Sequence, residues 1–109
     1  MTSIGEAMDA LMATVEARRS ADPSESYTAS LLAAGPERCA KKLGEEAVEA
    51  ALAGALGHPD ELTAEAADLL YHLAVLLAAN GVGWDAVSAR LAARTGQSGL
   101  EEKAGRQSS

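Results

Sequence analysis

Aromatic residues and cysteine are scarce in this sequence of 109 residues. Phenylalanine is absent, and the aromatic side chains are one tryptophan and two tyrosines. The single cysteine, Cys39, excludes an internal disulfide or a zinc site of several cysteines, and it is best explained as a small buried hydrophobic residue. Basic residues are also few, and the net charge is −7. Nucleic acid and anionic membrane are therefore not expected as the main partners.

Alanine and leucine recur at helical spacing, and no segment has the alternating pattern of a strand. Capping residues, prolines and glycines divide the chain into five predicted helices, at 4–19, 27–34, 36–56, 59–80 and 84–94. We expect an all-α bundle of about five helices in one domain at 1–95, with a polar, mobile tail at 96–109. No signal-peptide pattern or uninterrupted apolar run long enough for a membrane span is present, so a cytoplasmic location is expected.

Four acidic residues interrupt the otherwise apolar parts of the third and fourth predicted helices. Glu46 and Glu49 share one helix face, as do Glu65 and Asp68. If the chain folds back at Gly57, residues equally distant from this glycine come alongside each other. The four carboxylates then converge, and such a cluster requires either protons or a cation. Oxygen ligands alone favour Mg²⁺ or Mn²⁺.

The fourth predicted helix has two apolar sides. Helical geometry places most of its leucines on one side, which we expect to face the core of the chain. The opposite side carries alanines, which we expect to be covered by a second copy of the chain. The predicted inward residues are Leu62, Leu69, Leu70, Leu73 and Leu77, and the predicted outward residues are Ala67, Ala74 and Ala78. The bundle would thus be completed as a homodimer or a higher homo-oligomer. Leu91 of the last helix is also predicted to face inward.

Several motifs resemble one enzyme family. They are SYT at 26–28, GPERCAKK at 35–42, KKLGEEAVE at 41–49 and EAADLLYH at 65–72. The sequence is similar to the phosphoribosyl-ATP pyrophosphohydrolases of histidine biosynthesis. These enzymes belong to the MazG-like, all-α nucleoside triphosphate pyrophosphohydrolases, which are generally dimers or assemblies of dimers.

The resemblance implies hydrolysis of the α–β phosphoanhydride of phosphoribosyl-ATP, giving phosphoribosyl-AMP and pyrophosphate. Metal would be held by Glu46, Glu49, Glu65 and Asp68 and would bridge phosphate oxygens. Glu45 is the candidate for a further ligand or for the base that orients water. The candidate cations for substrate phosphates are Arg38, Lys41 and Lys42, although Lys42 could instead pair with Glu46. His72 is a candidate to support the ligands, with a hydrogen-bonded core histidine as the alternative.

Two other functions are compatible with parts of this pattern. One is a house-cleaning pyrophosphohydrolase that uses the same chemistry on another nucleotide, but the KKLGEE and DLLYH segments favour the histidine-pathway branch. The other is a non-catalytic helical dimerisation module, suggested by the alanine-rich helices. That second alternative does not explain four acids within apolar segments.

Overall fold

The computed structural model describes residues 1–95, and within them the only regular elements are helices. The five α-helices are α1 (Ile4–Ala17), α2 (Tyr27–Ala34), α3 (Pro36–Ala55), α4 (Pro59–Ala79) and α5 (Trp84–Arg94). A short 3-10 helix, Arg18–Ser20, follows α1. The predicted all-α fold is confirmed, and the tail predicted at 96–109 lies outside the described residues.

The ends of the helices are determined by local sequence. The hydroxyl oxygens of Ser3 and Ser26 each accept a hydrogen bond at 3.1 Å from a backbone N–H in the first turn of the helix that follows. Pro36 and Pro59 each occupy the first position of a helix, where the missing N–H has no cost. Gly57 has φ of 72°, which lets the chain reverse between α3 and α4.

The core lies where α1, α2 and the second half of α4 meet, and Trp84 closes it. Its buried members are Val15, Leu31, Cys39, Ala74, Val75, Ala78 and Trp84. The indole N–H of Trp84 donates to the carbonyl oxygen of Met8 at 2.8 Å. Cys39 is 1% exposed, and its thiol donates to the carbonyl oxygen of Leu31 at 3.3 Å. Both residues therefore have the packing roles expected from the sequence.

The predicted sides of α4 are wrong in part. Ala74 and Ala78, expected to face a partner, are 0% and 2% exposed within the single chain. Leu62, expected in the core, is 38% exposed, and Leu91 of α5 is 61% exposed. Small side chains allow neighbouring helices to approach closely, and Arg19, in the 3-10 helix after α1, donates to the carbonyl oxygen of Ala78 at 2.8 Å. Leu73 and Leu77 still pack against the core as predicted, so close approach at the alanines extended the buried part of α4 rather than reversing its sides.

The α3–α4 hairpin is the longest feature of the fold, and the end near its turn exposes apolar side chains. Val48 and Leu52 of α3 and Leu56, which caps it, follow one another at intervals of four and are 59%, 57% and 67% exposed. Leu62 of α4 lies beside Gly54, with side-chain carbons at 3.7 and 3.8 Å from the position of an added Cβ. We call Val48, Leu52, Leu56 and Leu62 the hairpin stripe.

Candidate functional site

Three of the four predicted acids converge across the α3–α4 hairpin. Glu46 and Glu49 of α3 and Glu65 of α4 each place one carboxylate oxygen within 4.8 Å of the other two. Glu46 and Glu65 are partly buried, whereas Glu49 is exposed. Reversal of the chain at Gly57 and the three-residue spacing on α3 bring these oxygens together. We call these three residues the acid cluster.

Glu65 is the acid whose charge is least well compensated in the acid cluster. Its Oε2 atom is buried and has no hydrogen-bond partner. Burial, together with the neighbouring Glu49 and Glu46 carboxylates, raises the pKa of Glu65 to about 7. This environment therefore favours a bound proton or a cation near neutral pH. A set of carboxylate oxygens with one unsatisfied, buried member has the chemistry that fits a hard divalent cation.

Asp68, the fourth predicted ligand, is exposed and is not one of the three acids whose oxygens lie within 4.8 Å of each other. It lies one helical turn beyond Glu65 and near His72, whose pKa it acts to raise. Its predicted role as a metal ligand stays a prediction.

His72 is buried and lies against the acid cluster. It is 6% exposed, and its Nε2 atom is 4.0 Å from Oε1 of Glu46. Its Nδ1 atom is buried without a hydrogen-bond partner. Burial lowers the pKa of His72, although Glu46 acts in the opposite direction. Burial and the lack of a partner on Nδ1 both favour an uncharged ring at neutral pH. His72 is thus a core residue close to a candidate ligand, and its predicted supporting role stays a prediction.

The predicted phosphate-binding cations lie on α3 before the acid cluster. The Lys42 ammonium is 3.0 Å from Oε2 of Glu45, so Lys42 pairs with Glu45 rather than with Glu46. This hydrogen bond lowers the pKa of Glu45, and Lys41 and Arg38 act in the same direction at longer range. Glu45 is exposed and is not part of the acid cluster. Arg38, Lys41 and Lys42 thus act together on Glu45, and their predicted role in phosphate binding stays a prediction.

Sequence reasoning assigned no role to the residues of α2 and α4 that surround His72. Tyr71 and Thr28 share a hydrogen bond between their hydroxyl groups. The Tyr71 ring centroid is 5.0 Å from that of His72, and the Tyr27 centroid is 6.2 Å from it. Both contacts are edge-to-face. The sequence did contain one indication that these residues belong to the site: both tyrosines of the chain occur in the family-like motifs.

A separate cavity of about 290 Å³ lies between α1 and α5. Met8, Trp84 and Leu91 line it, together with Asp9 and Asp85. It contains none of the predicted site residues, so the acid cluster remains the candidate site.

Comparison with known proteins identifies the family. The family model for phosphoribosyl-ATP pyrophosphohydrolase matches residues 8–95. A protein named phosphoribosyl-ATP pyrophosphatase from Cereibacter sphaeroides is 58% identical over 99 residues, covering 91% of this chain and 96% of that protein. Its namesake from Ruegeria pomeroyi is 56% identical over 96 residues, covering 88% and 91% of the two chains. The namesake from Caulobacter sp. K31 is 54% identical over 108 residues, covering 99% and 100%.

The matched region includes all five helices except the first turn of α1, and it contains every residue of the acid cluster. The resemblance inferred from the motifs is therefore confirmed over most of the described chain. This chain belongs to the phosphoribosyl-ATP pyrophosphohydrolase family.

Proposed function

We propose that the protein hydrolyses the α–β phosphoanhydride of phosphoribosyl-ATP to phosphoribosyl-AMP and pyrophosphate, in the second step of histidine biosynthesis, in the cytoplasm. The names and the 54–58% identity of the relatives support the substrate. The observation that carries the chemistry is the acid cluster, in which three carboxylates meet within 4.8 Å. Phosphoryl transfer depends mainly on positioning and on charge stabilisation, so it requires no covalent intermediate.

Mg²⁺ or Mn²⁺ is the proposed cofactor, with Glu46, Glu49 and Glu65 as its ligands and Asp68 as a fourth. The unpartnered Oε2 of Glu65 and the raised pKa of this residue support the presence of a cation. When bound, the ion would neutralise charge on the phosphate oxygens and on the leaving pyrophosphate. The carboxylates fix the place at which the reacting phosphates must lie.

The cations on α3 are proposed to bind the substrate phosphates that extend past the acid cluster. Lys42 already lies 3.0 Å from a carboxylate oxygen of Glu45, and a phosphate oxygen could replace this partner. Glu45 would then be released from Lys42 and could orient water as proposed, although in the ion pair its pKa is lowered and it is a weaker base. Arg38 and Lys41 would add charge on the same side.

His72 is proposed to fix the position of Glu46. Its ring is buried, and the rings of Tyr27 and Tyr71 pack against it at 6.2 and 5.0 Å. A neutral imidazole held in this way can donate a hydrogen bond from Nε2 towards Glu46 without adding charge to the acid cluster.

A homodimer is also part of the proposal. The hairpin stripe leaves four large apolar side chains exposed on one end of the α3–α4 hairpin. The most apolar 18-residue window of α4 has the length and hydropathy of a membrane span but is only 22% buried within the single chain. Glu65 and Asp68 would be costly within a bilayer. A second hairpin packed against the first would cover this surface as a four-helix core beside the acid cluster.

Pyrophosphate release from phosphoribosyl-ATP in Mg²⁺ tests the proposed function, with ATP and dUTP as alternative substrates. We expect release from phosphoribosyl-ATP in strong preference to the other two. Preference for ATP or dUTP would favour the house-cleaning alternative. No release from any of them by the folded protein would favour the non-catalytic module.

A further inference from the structure

Two of the three aromatic side chains pack around His72, which lies against the acid cluster. Trp84 is 8% exposed in the core, where its indole is hydrogen-bonded to Met8. Tyr71 and Tyr27 instead surround His72, and the two tyrosine rings are nearly parallel, at 21°, with centroids 6.5 Å apart. Because aromatic residues are scarce, their concentration here calls for an explanation beyond general packing.

Tyr27 is the exposed member of this group. It is 53% exposed, although it is the first residue of α2. The helix does not need this side chain for its attachment, because Ala29 and Leu31, each 2% exposed, anchor α2 in the core. Ser26 supplies the N-terminal cap through its hydroxyl oxygen. A large part of the Tyr27 ring is therefore available to a ligand.

Tyr27 lies close to the acid cluster, and His72 is near both. His72 connects the two, because its ring centroid is 6.2 Å from that of Tyr27 and its Nε2 atom is 4.0 Å from Oε1 of Glu46. Lys42 is paired with Glu45, and Tyr27 is also close enough to raise the pKa of Lys42. In a nucleotide, one ribose separates the base from the first phosphate. A base joined through one ribose to a phosphate at the acid cluster is therefore within reach of the Tyr27 ring.

We propose that the exposed ring of Tyr27 stacks on the purine of phosphoribosyl-ATP and is a residue that determines substrate specificity. This inference rests on the proposed function and adds the site of base recognition. Aromatic rings bind any base through its flat face. In phosphoribosyl-ATP, a ring nitrogen of adenine carries the additional ribose, and alkylation there makes the base an amidine that takes up a proton more readily than adenine does. The protonated base is a planar cation, which is attracted to the face of the tyrosine ring. The uncharged adenine of ATP lacks this attraction.

The test compares Tyr27→Ala and Tyr27→Phe with the parental protein at saturating Mg²⁺. Loss of one base-stacking contact should raise KM for phosphoribosyl-ATP by roughly 5- to 150-fold, with kcat close to the parental value. Tyr27→Phe keeps the ring and should keep the parental KM. Leu91→Ala is the matched control, because Leu91 is 61% exposed on α5 and lines the cavity away from the acid cluster. KM for ATP should rise less than KM for phosphoribosyl-ATP.

Equilibrium binding of the product phosphoribosyl-AMP, measured by calorimetry, separates this inference from the proposed function. If the parental protein releases no pyrophosphate, the hydrolase proposal fails. If Tyr27→Ala binds phosphoribosyl-AMP as tightly as the parental protein does, the stacking proposal fails. An equal loss of affinity for phosphoribosyl-AMP in Tyr27→Ala and Tyr27→Phe would assign the effect to the hydroxyl group and overturn the proposal. A loss of affinity that accompanies dissociation of the dimer in sedimentation would also overturn it, since Tyr27 would then be an interface residue.

Discussion

Lowering the pH should weaken divalent-metal binding to the acid cluster through Glu65. The pKa of this residue is raised to about 7 by its burial and by the carboxylates of Glu49 and Glu46. Metal ligands must be deprotonated, so a bound ion has to displace the proton from Glu65. The direction follows from the sign of the shift: a carboxyl group with a raised pKa holds its proton over more of the neutral range, and metal affinity falls as pH falls.

The raised pKa determines the size of this effect. A group that titrates near pH 7 is about 90% ionised at pH 8 and about 10% ionised at pH 6. The apparent affinity for Mg²⁺ should therefore be about tenfold lower at pH 6 than at pH 8. Near pH 6, binding of each ion should release close to one proton. An acid with an ordinary pKa would give almost no change over this range.

Isothermal titration calorimetry in two buffers with different ionisation enthalpies measures both the affinity and the proton release. The Glu65→Gln variant lacks the titrating group and should show much less than the tenfold pH dependence. Glu25→Gln, a change at an exposed acid in the loop before α2, is the control and should keep the parental behaviour. Equal affinity at pH 6 and pH 8, with no proton released, would refute the proposed state of Glu65.

Three further outcomes follow from the fold. Without metal, the pKa of Glu65 in the folded state lies above the ordinary value of 4.5, so the folded state binds more protons than the unfolded state does. Thermal stability should therefore fall as pH rises from 4.5 through about 7. A melting temperature in chelator that does not change over this range would contradict this. Leu52→Glu, within the hairpin stripe, should shift sedimentation from dimer to monomer, whereas Leu91→Glu on α5 should not; a dimeric Leu52→Glu protein would rule out this interface. Ala74→Leu should lower the free energy of unfolding by about 1–3 kcal/mol through overpacking, whereas Ala13→Leu at an exposed site should change it by less than about 0.5 kcal/mol, as checked by urea denaturation.

Helix positions could be predicted from the sequence because local signals determine them. The observed bounds of α2 and α5 equal the predicted ranges 27–34 and 84–94. A serine cap, proline at the first helical position and glycine at the turns act within a few residues of each helix end. The main difference is in α1, where the predicted last turn is the separate 3-10 helix Arg18–Ser20.

The packing sides of α4 could not be predicted in the same way. Helical periodicity shows that leucines and alanines lie on different sides, but not which neighbour each side meets. The prediction assumed that large side chains turn inward. In the structure, Ala74 and Ala78 are buried and Leu62 is exposed. Close packing between helices determined this outcome, and it depends on contacts between distant parts of the chain.

The acid cluster shows the same limit at the candidate site. Symmetry about Gly57 correctly brought α3 and α4 together and placed Glu49 opposite Glu65. It could not resolve whether Asp68 joins the three acids, because that depends on the rotation of α4 against α3. The role proposed for Tyr27 also required the structure, since only the fold brings it to 6.2 Å from His72. Its occurrence in a family-like motif gave no chemical reason for its presence.

Turnover of phosphoribosyl-ATP by Glu49→Gln, over a full Mg²⁺ titration, tests the central claim most directly. Mutation of a residue that only orients a metal ligand typically lowers metal affinity or activity by 10- to 100-fold. Loss of a direct ligand should therefore lower turnover by at least about 100-fold. We expect this loss in a protein that keeps its helical circular dichroism and its sedimentation coefficient, because the substitution relieves carboxylate repulsion. Parental turnover by Glu49→Gln, with an unchanged Mg²⁺ dependence, would contradict the assignment of the acid cluster as the catalytic metal site.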